Sequence, residues 1–242
     1  MFINYAHRGA SAYAPENTMT AFRLGIACGA NGIETDIRRT RDGVPVLFHD
    51  AMLTRLTGIE KPVGALSYRE LSALRIASPD GRLFDTIPTL AAFLAFLQEQ
   101  PAVGALELKE DGLEADVLHA LHARGIADKC VITSFCFAHL EKIKALDPAQ
   151  QTGLLTDTVD DGTVRALKRI GAEQICPKAA LLTPELVRSL HGEGFNVRAW
   201  GVRDEALMQK ALRCGVDGMT VNFPDKLHAA LCELPERGKA DL

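Results

Sequence analysis

Four charged residues stand at alternate positions in two short apolar segments. Glu34 and Asp36 belong to the segment GIETDI, and Glu107 and Lys109 belong to ALELK. Because alternate residues of a β-strand point to the same face, each pair should project from one side of its strand. Buried carboxylates on adjacent strands would need a cation, and oxygen ligands without cysteine favour Mg²⁺ or Ca²⁺ over Zn²⁺. The alternative is that the three carboxylates only pair with neighbouring cations, namely Lys109, Arg38 or Arg8.

Two histidines close candidate strands. His7 ends the first strand and is followed by Arg8, and His49 follows the short extended segment 44–48. An imidazole titrates near neutral pH, so two of them across a phosphate could serve its entering and leaving oxygens. Arg8 and Lys109 are suitable partners for that phosphate, the first through a planar fork and the second as a point charge.

Eight short apolar segments could form the strands that position these residues. They alternate with longer segments of helical period, a pattern typical of βα units around a parallel sheet. The segments are 3–8, 32–38, 103–109, 131–135, 152–157, 174–178, 196–202 and 217–222. They predict an α/β fold, the (β/α)8 TIM barrel, with the active site at the C-terminal ends of the strands. Phe135 and Trp200 close strands four and seven, where they could line a substrate pocket or simply pack.

One segment interrupts this alternation between the second and third barrel strands. More than fifty residues separate His49 from residue 103, where a barrel normally needs one helix and two loops. The part at about 51–88 is rich in glycine and proline turn signals, with one short helical patch at 68–74. We therefore expect a single barrel domain over 1–242 with a small insertion subdomain at about 51–88.

Composition excludes several classes of partner. The chain has 242 residues and a net charge of −4, so it lacks the basic surface that binds nucleic acid. No segment approaches the roughly 20 apolar residues that cross a bilayer, and no secretory leader is recognisable. We expect no membrane span and a cytoplasmic location. The six cysteines have no paired or regular spacing, which predicts reduced thiols.

Seven motifs along the chain resemble those of the glycerophosphodiester phosphodiesterase family, in its bacterial cytoplasmic form. They are HRGAS at 7–11, PENT at 15–18, ETD at 34–36, HD at 49–50, IPTL at 87–90, LELK at 106–109 and VRAW at 197–200. Their order and spacing match over nearly the whole chain. The resemblance also implies a barrel with a small insertion after its second βα region.

The resemblance implies specific roles for these residues. One divalent cation, Mg²⁺ first with Ca²⁺ or Mn²⁺ as alternatives, would bind Glu34, Asp36 and Glu107. The general acid and base would be His7 and His49, while Arg8 and Lys109 would hold the phosphate. Substrates would be glycerophosphodiesters such as glycerophosphocholine, which are cleaved to glycerol 3-phosphate and an alcohol. Attack by the glycerol hydroxyl through a cyclic phosphate is the favoured route, and direct attack by water stays open.

Other functions remain as alternatives. Related barrels include sphingomyelinase D-like, lysophospholipase D-like and phosphoinositide-cleaving enzymes that act on lipids, and a catalytically inert barrel could bind phosphorylated metabolites or a protein. The sequence leaves open which alcohol leaves. It also leaves open whether the insertion closes over the site or forms the interface of a homodimer.

Overall fold

Eight parallel β-strands close into a barrel in the computed structural model, which describes residues 1–233. In chain order the strands of this part are β1 Ile3–His7, β2 Gly32–Arg39, β3 Pro45–Leu47, β4 Arg75–Ala77, β5 Phe84–Thr86, β6 Val103–Leu108, β7 Cys130–Ser134, β8 Thr152–Thr156, β9 Gln174–Pro177, β10 Asn196–Val202 and β11 Gly218–Val221. The barrel runs β1, β2, β6, β7, β8, β9, β10 and β11, and β11 pairs with β1 to close it. This confirms the predicted (β/α)8 TIM barrel.

Helices alternate with the barrel strands along the chain. They are α1 Met19–Ala27, α2 Thr54–Thr57, α3 Tyr68–Leu71, α4 Leu90–Gln98, α5 Glu114–Arg124, α6 Phe137–Leu146, α7 Asp161–Ile170, α8 Pro184–Gly192, α9 Glu205–Cys214 and α10 Pro224–Glu233. Threonine or aspartate side chains cap the N-termini of α1, α4, α7, α8 and α9. Left-handed glycines end α5, α7 and α9, as their sequence positions predict.

The first helix begins later than the apolar spacing suggests. The pattern predicts a start near residue 16, but α1 begins at Met19. Asn17 has a left-handed backbone with φ of 56°, and Thr18 is extended and caps the helix by accepting a hydrogen bond from the Ala21 N–H. Because neither residue has helical backbone, Glu16 and Asn17 stay in a loop beside the first strand.

The segment after β2 folds around an apolar cluster of its own. β3 pairs antiparallel with β2, and β4 and β5 form a small antiparallel pair. The helical patch ends at Leu71 rather than at residue 74, and a capping box of Ser67 and Glu70 fixes its start. The buried members of the cluster are Val46, Phe48, Leu53, Val63, Leu66, Leu71, Ile76 and Ile87. That residues 51–88 are an insertion within one domain stays a prediction.

The barrel interior changes character along its axis. Tyr5, Ala105 and Val131 form a small buried apolar cluster. His7 and Glu107 stand two residues further along the same strands and therefore point inward as well. The interior is thus apolar towards the N-terminal ends of the strands and polar towards their C-terminal ends, where β/α barrels carry their active sites.

Two further sequence predictions concern the chain as a whole. Among residues 1–233, no helix is both long enough and apolar enough to cross a bilayer. All six cysteines are free thiols.

Candidate active site

The predicted site residues converge on a cavity at the C-terminal end of the barrel. It has a volume of about 340 Å³ and is lined by seven of the nine predicted residues: His7, Arg8, Glu34, His49, Glu107, Phe135 and Trp200. The other two contact residues that line it. Asp36 lies 3.1 Å from Arg8, and Lys109 lies 2.6 Å from Glu107. The fold therefore brings all nine together.

Glu34, Asp36 and Glu107 form one buried cluster of carboxylates. β2 and β6 pair in parallel with Asp36 opposite Glu107, and Glu34 points the same way as Asp36 from two residues earlier. One carboxylate oxygen of each residue lies within 4.8 Å of the other two. The three residues are 4%, 0% and 7% exposed, respectively. Like charges this close together in a buried site require compensating positive charge.

Two cationic side chains of the protein contact this cluster. Lys109 Nζ donates to Glu107 Oε1 at 2.6 Å and lies 3.6 Å from Asp36 Oδ1. Arg8 Nε lies 3.1 Å from Asp36 Oδ2, while its Nη1 donates to Glu16 Oε1 at 2.9 Å. Arg8 is therefore shared between the cluster and a fourth carboxylate, so Arg8 and Lys109 together do not neutralise the site.

The backbone after β1 brings Arg8 to the cluster in an uncommon conformation. Arg8 has φ of 57°, and its N–H donates to the main-chain oxygen of Glu34 at 2.9 Å and to Glu34 Oε2 at 3.2 Å. A Cβ atom on the next residue, Gly9, would lie 2.4 Å from the carbonyl carbon of Ala21. Glycine at this position is thus required for the strand end to pack against α1.

Asn17 fixes the orientation of Asp36 from the loop before α1. Its Nδ2 donates to Asp36 Oδ2 at 2.8 Å, and its Oδ1 accepts from Thr35 Oγ1 at 2.7 Å and from the Asp36 N–H at 3.3 Å. Asn17 is 1% exposed. The PENT motif points to this residue in the sequence, but Asn17 is absent from the predicted site residues.

The pKa values of the three carboxyl groups diverge. Burial, reinforced by the Asp36 and Glu107 charges, raises the pKa of Glu34 well above its usual range. Burial and the Asp36 charge also raise the pKa of Glu107 to about 7. Burial alone would raise the pKa of Asp36, but the Arg8 and Lys109 charges outweigh it and hold that pKa at about 2. Full ionisation of all three carboxyl groups at neutral pH is therefore unfavourable without further positive charge.

The donor set of this cluster fits a hard divalent cation. Asp36 Oδ1 is buried and makes no hydrogen bond within the described residues. Oxygens on opposite sides of bound Mg²⁺ or Ca²⁺ lie roughly 4 to 5 Å apart, which matches the spacing of the three carboxylates. An added cation would supply the charge that Arg8 and Lys109 leave uncompensated.

His7 stands beside Glu34, its partner on the adjacent strand β2. Its Nδ1 lies 2.5 Å from Asn222 Oδ1, an acceptor, so Nδ1 carries the proton and Nε2 is the free acceptor. Nε2 lies 3.9 Å from Glu34 Oε2. Burial and the Arg8 charge lower the pKa of His7 to about 4. The imidazole is therefore neutral near pH 7 and can accept a proton at Nε2.

His49 follows β3 and is fixed by its neighbours in the chain segment after β2. Its Nδ1 lies 2.6 Å from Asp50 Oδ1, and its carbonyl oxygen accepts from Arg38 Nε at 2.9 Å. Arg55 Nε in turn donates to Asp50 Oδ2 at 2.6 Å. Burial lowers the pKa of His49, although the Asp36 charge opposes it. Arg38, a candidate partner of the carboxylate cluster, thus contacts His49 instead.

Phe135 and Trp200 contact each other at the rim of the cavity. Their ring centres lie 4.8 Å apart with an interplanar angle of 88°. Trp200 Nε1 donates to the carbonyl oxygen of Thr156 at 3.1 Å, which fixes the indole ring. Both residues line the cavity, so their side chains form part of its wall in addition to packing against each other.

Four further polar residues of the cavity wall are missing from the predicted set, namely Arg198, Arg203, Thr220 and Asn222. Arg198 is 1% exposed, and its Nε and Nη1 have no hydrogen-bond partner within residues 1–233. Its guanidinium lies 4.9 Å from the centre of the Tyr5 ring. The period-two rule could have found Arg198, two residues before Trp200, whereas no predicted site residue belongs to the strand segment at 217–222 that carries Thr220 and Asn222.

The chain matches known proteins over nearly its whole length. The model of the Glycerophosphoryl diester phosphodiesterase family matches residues 7–226. A glycerophosphodiester phosphodiesterase of Bacillus altitudinis is 32% identical over 234 residues, which cover 92% of this chain and 95% of that protein.

Solved structures agree with these sequence matches. A phosphodiesterase of Oleispira antarctica in complex with the product sn-glycerol-3-phosphate superposes with a TM-score of 0.87 at 27% identity, covering 95% of this chain and 96% of the other. A glycerophosphodiester phosphodiesterase of Agrobacterium tumefaciens gives 0.83 at 26% identity, covering 94% and 100%.

Proposed function

The chain belongs to the glycerophosphoryl diester phosphodiesterase family, and on that premise we propose that it hydrolyses glycerophosphodiesters with the help of one divalent cation. Substrates such as glycerophosphocholine and glycerophosphoethanolamine would yield glycerol 3-phosphate and an alcohol. The observation that carries the proposal is the cluster of three buried carboxylates at a cavity that His7 and His49 also line.

Glu34, Asp36 and Glu107 hold the cation in this proposal. Mg²⁺ is the first candidate because the ligands are carboxylate oxygens, with Ca²⁺ and Mn²⁺ as alternatives. When bound, the cation supplies the positive charge that stabilises negative charge on the phosphoryl oxygens in the transition state. Lys109 stabilises the ionised forms of Glu107 and Asp36 through its contacts with both carboxylates, and Asn17 keeps the Asp36 carboxylate turned towards the cluster.

Arg8 and Lys109 would orient the phosphate. Arg8 donates a hydrogen bond from Nη1 to Glu16, and its Nε lies beside the Asp36 carboxylate. Its Nη2 makes no hydrogen bond to any described residue. That N–H group can therefore donate to a phosphoryl oxygen. The Lys109 ammonium contributes as a point charge beside it.

His7 and His49 would move the protons. His7 is neutral and has Nε2 free, so it accepts the proton of the attacking hydroxyl. In its doubly protonated form, which the hydrogen bond from Nδ1 to Asp50 favours, His49 would give the Nε2 proton to the alcohol oxygen as the P–O bond breaks. Each imidazole is fixed through Nδ1, which leaves the other nitrogen for the substrate.

The nucleophile is proposed to be the neighbouring hydroxyl of the substrate's own glycerol. That oxygen attacks phosphorus, the alcohol leaves, and a cyclic phosphate forms that water then opens to glycerol 3-phosphate. Direct attack by water is the alternative. A 2-deoxy analogue of the glycerol moiety separates the two routes: it should not react by the first, and its normal cleavage would favour the second.

Release of glycerol 3-phosphate tests the proposed function directly. The protein would be freed of metal with a chelator, dialysed, and assayed on glycerophosphoethanolamine with and without added Mg²⁺. A lysophospholipid assayed in parallel tests the lipid-cleaving alternative. We expect metal-dependent release from the water-soluble diester. Release only from the lipid would support the alternative, and no release from either would support an inert barrel.

A further inference from the structure

Few groups in the cavity could recognise a positively charged alcohol. Among the described residues, the only carboxylates that line it are Glu34 and Glu107. Both belong to the carboxylate cluster that would bind the cation. An ammonium group on the leaving alcohol therefore finds no carboxylate left to pair with.

Each aromatic ring at the rim already has a lysine ammonium beside it. Lys109 Nζ lies 5.9 Å from the centre of the Phe135 ring, and Lys178 Nζ lies 5.3 Å from that of Trp200. The two rings also contact each other edge to face. A quaternary ammonium such as choline binds over free aromatic faces. Here each ring already has an ammonium beside it, which also pairs with a carboxylate, Lys109 with Glu107 and Lys178 with Asp157, so a second cation would have to compete for the ring.

Arg203 adds an uncompensated positive charge to the cavity wall. It follows β10 directly, lines the cavity and is exposed. The two acids next to it in the chain are engaged elsewhere: Asp204 accepts from the Leu207 N–H at 2.8 Å, and Glu205 accepts from Lys226 Nζ at 2.5 Å. Arg203 forms no salt bridge with any residue of the described part, so its guanidinium is available to a ligand.

From these observations we propose that the cavity prefers glycerophosphodiesters whose alcohol carries a negatively charged group, and that Arg203 binds this group. Arg8, Arg198 and Arg203 line the cavity against two carboxylates, so the wall is positive even before a cation is bound. A carboxylate or a second phosphate on the alcohol provides the acceptor oxygens that a guanidinium binds best. The inference rests on the proposed function.

Serine and ethanolamine head groups provide a matched pair of substrates. Glycerophosphoserine differs from glycerophosphoethanolamine by one carboxylate, and glycerophosphocholine tests the quaternary cation. The measurement is kcat/KM for glycerol 3-phosphate release with saturating Mg²⁺. We expect the serine diester to exceed the ethanolamine diester by about two- to fivefold, the range of one charge pair at an exposed site. The choline diester should be the poorest of the three.

Variants assign the preference to Arg203. In Arg203→Gln the serine-to-ethanolamine ratio should fall towards one. Arg188→Gln is the matched control, because Arg188 is an exposed arginine that pairs only with Glu185 on α8; it should keep the original ratio. Lys178→Gln removes the ammonium beside Trp200 and should raise turnover of the choline diester relative to the ethanolamine diester.

The possible results distinguish the proposed head-group preference from the proposed hydrolytic function. A ratio near one in the unmodified protein, or a preference for choline, would overturn the inference and leave the function intact. An unchanged ratio in Arg203→Gln, with melting temperature retained, would overturn the assignment to Arg203. No turnover of any of the three diesters would overturn the proposed function and the inference with it.

Discussion

Asp36 depends for its orientation on a residue outside the barrel strands. Asn17 donates one hydrogen bond to the Asp36 carboxylate and accepts another from its N–H, while Arg8 contacts the same carboxylate oxygen as Asn17. Groups that hold a metal ligand in this way contribute to metal affinity without touching the metal. The PENT motif therefore acts on the proposed cation site through Asp36.

Asn17→Gly should weaken cation binding. Glycine removes the side chain but tolerates the left-handed backbone at this position, where φ is 56°. We expect the Mg²⁺ concentration for half-maximal activity to rise about 10- to 100-fold, the usual effect of losing a group that orients a metal ligand. Titration of activity with Mg²⁺ measures it. An unchanged half-saturation point would show that Asn17 does not orient the proposed metal site.

Cation binding should depend on pH through Glu34 and Glu107. The pKa of Glu107 is raised from 4.5 to about 7, and that of Glu34 is raised as well. Folded metal-free protein therefore holds these protons more tightly than the unfolded chain does, so this contribution to stability is present below pH 4.5 and is lost as pH rises through 7. A cation must displace the same protons.

The rise in melting temperature caused by Mg²⁺ should consequently be larger at pH 8 than at pH 6. Thermal unfolding with and without Mg²⁺ at pH 6, 7 and 8 measures it. Glu107→Gln, which has no proton to lose, should show a smaller Mg²⁺ effect at pH 8. A Mg²⁺ effect that is independent of pH in the unmodified protein would contradict this account of the site.

His49→Ala should reduce kcat by at least about 100-fold, because general acid catalysis contributes on that scale. Steady-state release of glycerol 3-phosphate measures the loss. His122→Ala is the control, since His122 pairs with Asp147 on the surface of α5, and it should keep normal turnover. Near-normal turnover in the His49 variant would remove that residue from the proposed mechanism.

At the scale of elements, α2 connects the chain segment after β2, to which it belongs, with the loop between β1 and α1. Arg55 on α2 donates to Asp50, which holds His49, and its Nη1 and Nη2 donate to Glu16, which holds Arg8. One arginine thus connects the supports of the proposed acid and of the proposed phosphate ligand. We propose that the segment at about 51–88, as an insertion in a single barrel domain, serves to hold these supports.

Arg55→Ala should lower kcat by about three- to tenfold. The loss is small because Arg55 is partly exposed. Ion pairs of exposed side chains stabilise a structure by roughly 1 kcal/mol or less each. Arg82→Ala is the matched control, because Arg82 lies in the same segment and contacts only the exposed Asp80. Equal kcat values in the two variants would contradict a supporting role for α2.

The regular elements could be predicted from the sequence, but their irregular ends could not. Alternation marked Glu34 and Asp36 as one face of β2, and the structure confirms that both point into the cluster. The left-handed backbone of Arg8 and Asn17 carries no comparable signal, because such conformations in non-glycine residues are set by tertiary contacts. The later start of α1 follows from Asn17.

At the scale of the whole molecule, barrel closure assembles the site from distant parts of the chain. His7 and Asn222 are 215 residues apart in sequence and share a hydrogen bond because β11 pairs with β1. Sequence spacing therefore identified His7 but not its partner. The spacing of Arg198 from Trp200 could have placed it on the same face, but its contact with the Tyr5 ring depends on the pairing of β10 with β11 and of β11 with β1.

The central claim is that hydrolysis needs a cation held by Glu34, Asp36 and Glu107. The most direct measurement is the rate of glycerol 3-phosphate release from glycerophosphoethanolamine by chelator-treated protein, titrated with Mg²⁺ and compared with Glu107→Gln. We predict no release without metal, saturable recovery with Mg²⁺, and little recovery in the variant at the same concentrations. Full turnover by exhaustively chelated protein, or equal recovery in Glu107→Gln, would contradict the claim.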